Sequence, residues 1–464
     1  MKMNFLKAKS IDATEGRILP KIFLYAIPLI LSTLIQQLFN AVDLVVLGNM
    51  ADDIAVASVG ATTSIVALLV TSFVGLASGT RVVLARQIGA RDNENVRKTT
   101  DTSLILAVGI GVVLAIVGFL AAPWFLRITN CPEECLEGAL IYIRIYVCAA
   151  PFILFYNFGA SAVTASGDTQ RPLYYVMIGG VTNIVLNIIL CLILPQKVVA
   201  VAVATVASQV ICAFLIGKRM LVMEGPCRVV VKEMRFFMSA LGNILRFGLP
   251  MMLTNALFPL SNLQIASAIN SFGYLATAGN SAASIIETVL SATSGPFGTT
   301  AATFIGQNIG AQKPHRVKKS FYQCLLWSVL IGGTIGVLTF FTGKLWLGLI
   351  VGQGNSIAIK FGMVRMSCTT LFYIVNCVNA VYANALQAHG YSSFSAINSI
   401  FCVFIFRIIW MQGLYPLCSE MPTYERFFVV TVCFIVSWVL RMIVNLIAFG
   451  VVRLKYSRGF RRVL

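Results

Sequence analysis

Apolar residues come in long blocks along this chain, and short polar segments separate them. A run of about 20 apolar residues is long enough to cross a bilayer. In hydrocarbon such a run must be helical, because its backbone groups find no water to bond. The pattern therefore predicts an all-α polytopic membrane protein. We place its twelve transmembrane helices at 22–48, 54–78, 99–123, 138–162, 172–194, 198–217, 247–270, 277–303, 320–343, 362–385, 394–416 and 427–450.

Composition supports this class and excludes an ordinary soluble protein. Of 464 residues, 58% are hydrophobic and 11% are charged, whereas soluble domains are about a quarter charged. The net charge is +18, from 35 Lys and Arg against 17 Asp and Glu. These basic residues lie between the apolar blocks and form no aromatic-interleaved patch, which argues against a nucleic-acid partner.

The distribution of basic residues predicts the orientation in the membrane. Lys and Arg concentrate in alternate segments, beginning with residues 1–21, and the other loops contain few of them: Arg127, Lys197, Lys344, Lys360 and Arg426. Cytoplasmic loops are the ones enriched in Lys and Arg. We expect a multi-pass protein of the cell membrane with both termini in the cytoplasm. Residues 1–21 lack an apolar cleavable signal, so the first span should act as the signal.

An internal duplication organises the chain. Arg86-Gln87-Ile88-Gly89-Ala90-Arg91 follows the second span, and Gln307-Asn308-Ile309-Gly310-Ala311-Gln312 follows the eighth, 310 − 89 = 221 residues later. We expect two six-helix lobes related by a pseudo-two-fold axis along the membrane normal, because an even number of spans returns the chain to the same side. The predicted parts are a cytoplasmic segment 1–21, an N-lobe 22–217, a cytoplasmic linker 218–246, a C-lobe 247–450 and a basic tail 451–464.

Asp43 is the clearest candidate for chemistry, because it lies midway along the first span. A carboxylate there costs about 2.5–3.5 kcal/mol on insertion scales. Gln36 and Asn40 precede it by seven and three residues, so all three share one helical face. The pattern favours a protonatable or cation-binding site, with a structural carboxylate bonded to a neighbouring helix as the alternative.

Further polar side chains occur on other spans. Asn183 and Asn187 lie four residues apart on the fifth span, and Thr205 lies on the sixth. Amides can ligate a cation or bond neighbouring helices, and both interpretations stay open. Glu287 is the one carboxylate well inside a second-half span. Arg144 and Arg365 correspond across the repeat and are expected to snorkel or to form structural salt bridges.

Several kinds of protein are disfavoured by missing motifs. The sequence contains neither a phosphate-binding GxxxxGK[ST] loop nor a HExxH or GxSxG motif, and only two His. We therefore expect no enzyme, no metal centre and no cofactor, and transport driven by an ion gradient. The pairs Gly75/Gly79 and Gly306/Gly310 are predicted close-packing contacts. Cys131 and Cys135 are either separate thiols or a local disulfide.

These motifs together resemble the multidrug and toxin extrusion family, in particular the bacterial branch typified by DNA-damage-inducible protein F. The resemblance covers nearly the whole chain. It rests on Ile11-Asp12-Ala13-Thr14-Glu15-Gly16, on Phe39-Asn40-Ala41-Val42-Asp43, on Gly167-Asp168-Thr169-Gln170-Arg171-Pro172 and on Gly306-Gln307-Asn308-Ile309-Gly310-Ala311.

The resemblance implies export of small amphipathic organic cations or drugs in exchange for H⁺ or Na⁺, by a protein that we expect to be a monomer in the lipid bilayer. It implies a coupling site at Asp43, Asn183, Asn187 and Thr205, where Na⁺ could bind at Asp43. A substrate cavity would include Gln36, Asn40 and Glu287. Asn187 departs from the family, since many relatives have Asp there, and the coupling ion stays open. The alternative is a lipid-linked oligosaccharide flippase of related architecture.

Overall fold

The structure is a computed structural model that describes residues 10–50, 53–129 and 131–461, a few of them, such as Asn40 and Asp43, by backbone alone. The described residues form helices and connecting turns, without a strand. The helices are α1 (Ile18–Met50), α2 (Asp53–Gly89), α3 (Asn93–Ile128), α4 (Glu133–Cys148), α5 (Ala150–Ala165), α6 (Gln170–Ile193), α7 (Lys197–Val222), α8 (Met238–Asn270), α9 (Tyr274–Gly310), α10 (Pro314–Phe341), α11 (Gly343–Val351), α12 (Ser356–Thr369), α13 (Tyr373–Ala388), α14 (Ser392–Ser399), α15 (Phe406–Ile409) and α16 (Thr423–Arg461).

The helices confirm an all-α polytopic membrane fold. Within the described residues, nine stretches are long and apolar enough to cross a membrane, or eleven if each of two bent pairs is one span. The remaining predicted span, 277–303, lies in α9, which is helical over 37 residues. Its Gly, Ser and Thr residues make it less apolar than the others, and it is not among these eleven stretches.

Two predicted spans are broken rather than continuous. The fourth consists of α4 and α5, bent by 46°, and the tenth consists of α12 and α13, bent by 45°. Pro151 follows the first break and has no N–H to donate to the preceding turn. At the second break the Thr370 hydroxyl donates to the carbonyl oxygen of Met366 over 2.8 Å, a bond that bends helices.

The eleventh predicted span is also irregular. Wider π-helical turns at Ile400–Ile405 and Trp410–Leu414 flank α15. Such turns insert an extra residue into an α-helix. The apolar pattern predicted a helix here but contains no signal for the changed winding.

The backbone repeats the duplication seen in the sequence. Arg91 and Gln312, with φ of 55° and 56°, are the non-glycine residues with positive φ in the described chain, and 312 − 91 = 221. Gly167 and Gly390 also have matching φ of 96° and 95°, at the similar spacing of 390 − 167 = 223 residues. Left-handed backbone is uncommon outside glycine. Its recurrence at the repeat spacing shows that both halves build the same turns.

The chain forms two compact units. The first contains Phe23–Met252, and the second contains Leu253–Ile309 and the chain from Lys313 onward. Buried side chains of the first unit pack around Phe158 and Leu84, and those of the second pack around Phe427. Cys131 and Cys135 are both free thiols.

Close helix packing in the first unit depends on Gly75 and Gly79 of α2, which confirms the predicted role of this pair. A Cβ on Gly79 would lie 2.3 Å from the Cα of Gly248, and one on Gly75 would lie 2.7 Å from the Met251 carbonyl oxygen. Both neighbours are backbone atoms, which cannot rotate away. Any side chain at these positions would separate α2 from α8.

We expect Gly79→Leu to lower the midpoint of thermal unfolding by several degrees or to abolish folding, because overpacking typically costs about 1–3 kcal/mol. Gly60→Leu on the same helix is the matched control, since a Cβ there meets nothing within 4 Å. The measurement is a thermal melt of each purified variant. Equal midpoints for the two variants would contradict the packing described here.

Candidate functional site

A cavity of about 500 Å³ lies inside the first unit. Residues from α1, α2, α4, α5, α6 and α7 line it. Its size is within the range of small-molecule sites, about 300–1,000 Å³. We call it the polar cavity, because amide and hydroxyl side chains are among its lining residues.

The lining of the polar cavity combines aromatic surface with neutral polar groups. Its aromatic side chains are Phe39, Tyr142, Tyr146 and Tyr156, and its polar groups include Gln36, Thr62, Thr63, Thr71, Asn157, Asn183, Thr205, Ser208 and Gln209. Among the described lining residues there is no Lys or Arg. Aromatic faces attract cations, and amide and hydroxyl oxygens accept hydrogen bonds from them. This arrangement suits an organic cation better than an anion.

Three predicted site residues form one chain of hydrogen bonds. The amide nitrogen of Asn187 donates to the side-chain oxygen of Asn183 over 3.3 Å, and the amide nitrogen of Asn183 donates to the Thr205 hydroxyl over 3.4 Å. The Thr205 hydroxyl in turn donates to the carbonyl oxygen of Val201 over 2.9 Å. Asn183 and Asn187 face α7 together because they are one helical turn apart on α6.

Asn183, Asn187 and Thr205, which we call the amide cluster, differ in how far they are buried. Asn187 is fully buried, whereas Asn183 and Thr205 reach the polar cavity. Gln36 of α1 also lines it. Asn40 and Asp43 lie further along α1, and their side chains are outside the described part of the structure. Their predicted place on the Gln36 face therefore stays a prediction.

Glu287 lies in the second unit and is paired. The Arg365 Nε and one terminal nitrogen each donate to a Glu287 carboxylate oxygen over 2.8 Å. Thr369 also donates to this carboxylate, and Asn280 accepts from Arg365. The pair connects α9 with α12 next to the bend between α12 and α13. Of the two interpretations of Arg365, the structure shows the salt bridge. Arg144, its counterpart, instead stacks over Phe119 with its guanidinium carbon 4.8 Å from the ring centre.

Arg407 is the largest fully buried side chain in the described chain. It donates to the Asn262 side-chain oxygen over 2.7 Å and to the Ser261 and Ser437 hydroxyls over 3.2 and 3.3 Å. Its guanidinium carbon lies 4.6 Å from the Phe434 ring centre, and that of Arg365 lies 5.0 Å from the same ring. The two arginines thus belong to one buried network of the second unit.

Comparison with known proteins agrees with this two-part organisation. The family model MatE matches residues 28–189 and again residues 250–411, so the same model fits both halves at a spacing of 250 − 28 = 222 residues. This chain belongs to the MatE family. The expected resemblance and the duplicated architecture are thereby confirmed, and the family is one of multidrug resistance transporters.

Relatives of the MatE protein extend the match. The chain is 25% identical to "Probable multidrug resistance protein YpnP" of Bacillus subtilis, over 82% of this chain and 85% of that protein. It is 25% identical to "DNA damage-inducible protein F" of Escherichia coli, over 40% of each. A solved outward-facing structure of a multidrug resistance transporter of this family has a TM-score of 0.87 at 20% identity, over 96% of this chain and 99% of that one. The last match shows the shared fold.

Two amides and three tyrosines that line the polar cavity were not among the site residues predicted from the sequence. Asn157 on α5 and Gln209 on α7 line it, and both are amides within predicted spans. The rule that singled out Asn183 therefore could have found them. The tyrosines Tyr142, Tyr146 and Tyr156 had no such signal, because tyrosine is common at membrane interfaces and in helix packing alike.

The salt bridge between Glu287 and Arg365 predicts that substitutions of these two residues have strongly coupled effects on stability. We expect Glu287→Gln and Arg365→Met each to lower the unfolding midpoint of this MatE protein, because removing one partner of a buried pair costs about 3–5 kcal/mol. The double variant should regain most of the loss, since it leaves no charge unpaired. The exposed pair Arg91–Glu15 is the control, for which about 0–1 kcal/mol is typical. Strictly additive losses for Glu287 and Arg365 would disprove the coupling.

Proposed function

We propose that this MatE protein is a secondary active multidrug exporter of the cell membrane. It would exchange amphipathic organic cations for inward H⁺ or Na⁺ by alternating access of its two lobes, with both termini in the cytoplasm. The observation that carries the proposal is the polar cavity, whose described lining offers aromatic faces and neutral oxygens and no basic side chain. The relatives named as multidrug resistance proteins support multidrug export.

The coupling site in this proposal is Asp43 together with the amide cluster. Gln36 lines the polar cavity, and helical periodicity predicts that Asp43, seven residues later on α1, shares its face. Asn183 and Thr205 offer oxygens at the cavity surface, and Asn187 orients Asn183 from behind. A cation bound there would have one carboxylate and otherwise neutral ligands.

We favour the proton as the coupling ion. Hard cations such as Na⁺ are bound best by several carboxylates and carbonyls, and the family resemblance implies that Asn187 stands where many relatives have Asp. A proton, in contrast, binds to a single carboxylate and needs no further charged ligands. If an exchange moves one net charge inward, a potential of 100 mV supplies about 2.3 kcal/mol, which corresponds to a substrate gradient of roughly fifty-fold. Exchange for one monovalent cation is electroneutral and depends on the pH difference alone.

The alternative of a lipid-linked oligosaccharide flippase requires a cationic cavity for a pyrophosphate. Arg407, the basic residue nearest the middle of a span, is 0% exposed and is held by neighbouring hydroxyl and amide groups. Arg365 is occupied by Glu287. Neither guanidinium is available to a substrate in this conformation, so the organic-cation exporter is favoured.

We expect Asp43→Asn to abolish coupled export while the protein still folds, because the amide keeps the shape of the side chain and cannot change charge. The measurement is efflux of a fluorescent cation from cells, normalised to the amount of protein. Asp101→Asn is the control, since Asp101 is a buried carboxylate of α3 that does not line the polar cavity. Wild-type efflux by Asp43→Asn would disprove the assigned role.

The coupling ion is tested in proteoliposomes loaded with a fluorescent cation. We expect efflux under an imposed pH gradient without sodium, and none under a sodium gradient at constant pH. Asn187→Asp should increase the response to sodium, because it restores a second carboxylate to the cluster. Asn157→Asp, which adds a carboxylate elsewhere in the same cavity, should leave the sodium response unchanged. Efflux of the wild type with sodium alone would refute proton coupling.

A further inference from the structure

A second opening, lined almost entirely by apolar side chains, lies beside the polar cavity in the first unit. It has a volume of about 90 Å³ and is formed by α2, α3, α4 and α5. Its walls include Leu69, Phe73, Leu114, Gly118, Phe125 and Val147, and we call it the apolar crevice. Tyr146 is the one side chain with a polar atom among its described lining residues. A space with a lining this apolar favours hydrocarbon over water.

The apolar crevice and the polar cavity share a partition. Val70, Tyr146 and Ile153 line both spaces. Tyr146 lies in the last turn of α4 and Ile153 in the first turn of α5, so the partition crosses the 46° bend between these helices. The ring of Tyr146 stacks on that of Tyr142 with their centres 6.1 Å apart. A change in the bend angle would move Tyr146 relative to Ile153 and so change the partition between the two spaces.

The other side of the crevice reaches the apolar surface of α3. Val117 lines the crevice and is 52% exposed. Neighbouring exposed residues of α3, such as Val113, Ile116 and Leu120, are also large and apolar. On a membrane-spanning helix such a surface faces lipid tails. The crevice therefore lies between the bilayer and the polar cavity, with hydrocarbon on one side and amides and hydroxyls on the other.

We propose that the apolar crevice is a subsite for the hydrocarbon part of an exported amphipathic cation, whose charged group occupies the polar cavity. The occupant is an alkyl chain or an aromatic ring, and the crevice accommodates a few methylene groups. This inference rests on the proposed function, since it divides one substrate between the two spaces. A lipid acyl chain has the same chemistry as the proposed occupant, so the experiment distinguishes the two sources.

The test is binding of butyl-, hexyl-, octyl- and decyltrimethylammonium to the full-length protein in lipid nanodiscs, with the signal of empty nanodiscs subtracted. Buried methylenes are worth about fourfold in affinity each, so the dissociation constant of the wild type should fall steeply with chain length. Gly118→Leu fills the crevice, because a Cβ at Gly118 points at the Val147 side chain 3.0 Å away. The ratio of the butyl to the octyl dissociation constant should be smaller in this variant than in the wild type, by about tenfold or more.

Gly109→Leu is the matched control on the same helix, since a Cβ there meets nothing within 4 Å. It should keep the wild-type dependence on chain length. Gly118→Ala should give an intermediate dependence and serves if Gly118→Leu does not fold. Affinity for the butyl homologue should stay the same in all variants, because its charged group binds in the polar cavity.

The possible results separate the two proposals. If the homologues bind and Gly118→Leu leaves the dependence of affinity on chain length unchanged, this subsite is overturned and the proposed function stands. Failure of every homologue to bind overturns both. Lipid bound to the purified protein is measured by mass spectrometry. One outcome is a bound lipid that Gly118→Leu releases but that the octyl homologue does not displace. This outcome assigns the crevice to an acyl chain and also overturns the inference.

Discussion

The cost of an unsatisfied polar group in hydrocarbon is the constraint on which the rest of this structure depends. Each unpaired backbone group inside a bilayer costs several kcal/mol, so the chain crosses as helices. Each polar side chain within a span must find a partner or a cavity. Asn183 and Thr205 reach the polar cavity, Glu287 pairs with Arg365, and Arg407 is surrounded by hydroxyl and amide acceptors. The positions of these few groups define the chemistry of the protein.

Departures from regular helix follow from the same constraint. A bend frees backbone groups, and local side chains or turns must satisfy them. Thr370 bonds back to Met366 at one bend, and Pro151 removes a donor at the other. Because the two broken spans correspond in the repeat, bending at this point belongs to the duplicated unit. The partition that includes Tyr146 lies near one bend, and the Glu287–Arg365 pair lies near the other.

The two units share a backbone plan and differ in side-chain chemistry. The first unit contains a polar cavity whose described lining has no basic residue, and the second contains a closed network of charged and polar side chains. Arg144 and Arg365 illustrate the divergence, since one stacks on an aromatic ring and the other forms a bidentate pair. After duplication, the same left-handed turns were kept in both halves, at Arg91 and Gln312 and at Gly167 and Gly390. Charge pairs could diverge as long as each stayed satisfied.

The sequence by itself determined the class, the approximate spans, the duplication and the family, because hydropathy and repeat spacing act along the chain and need no knowledge of contacts. It also identified Asn183, Asn187 and Thr205, since polar residues in apolar helices are costly wherever they point. Only the tertiary structure decided which residues meet. Nothing in the spacing of Glu287 and Arg365 predicts their pairing, because the two lie on different helices and are 78 residues apart. The bends, the π-helical turns around α15, and the place of Tyr146 between the polar cavity and the apolar crevice likewise depend on how neighbouring helices pack, which a hydropathy pattern does not encode.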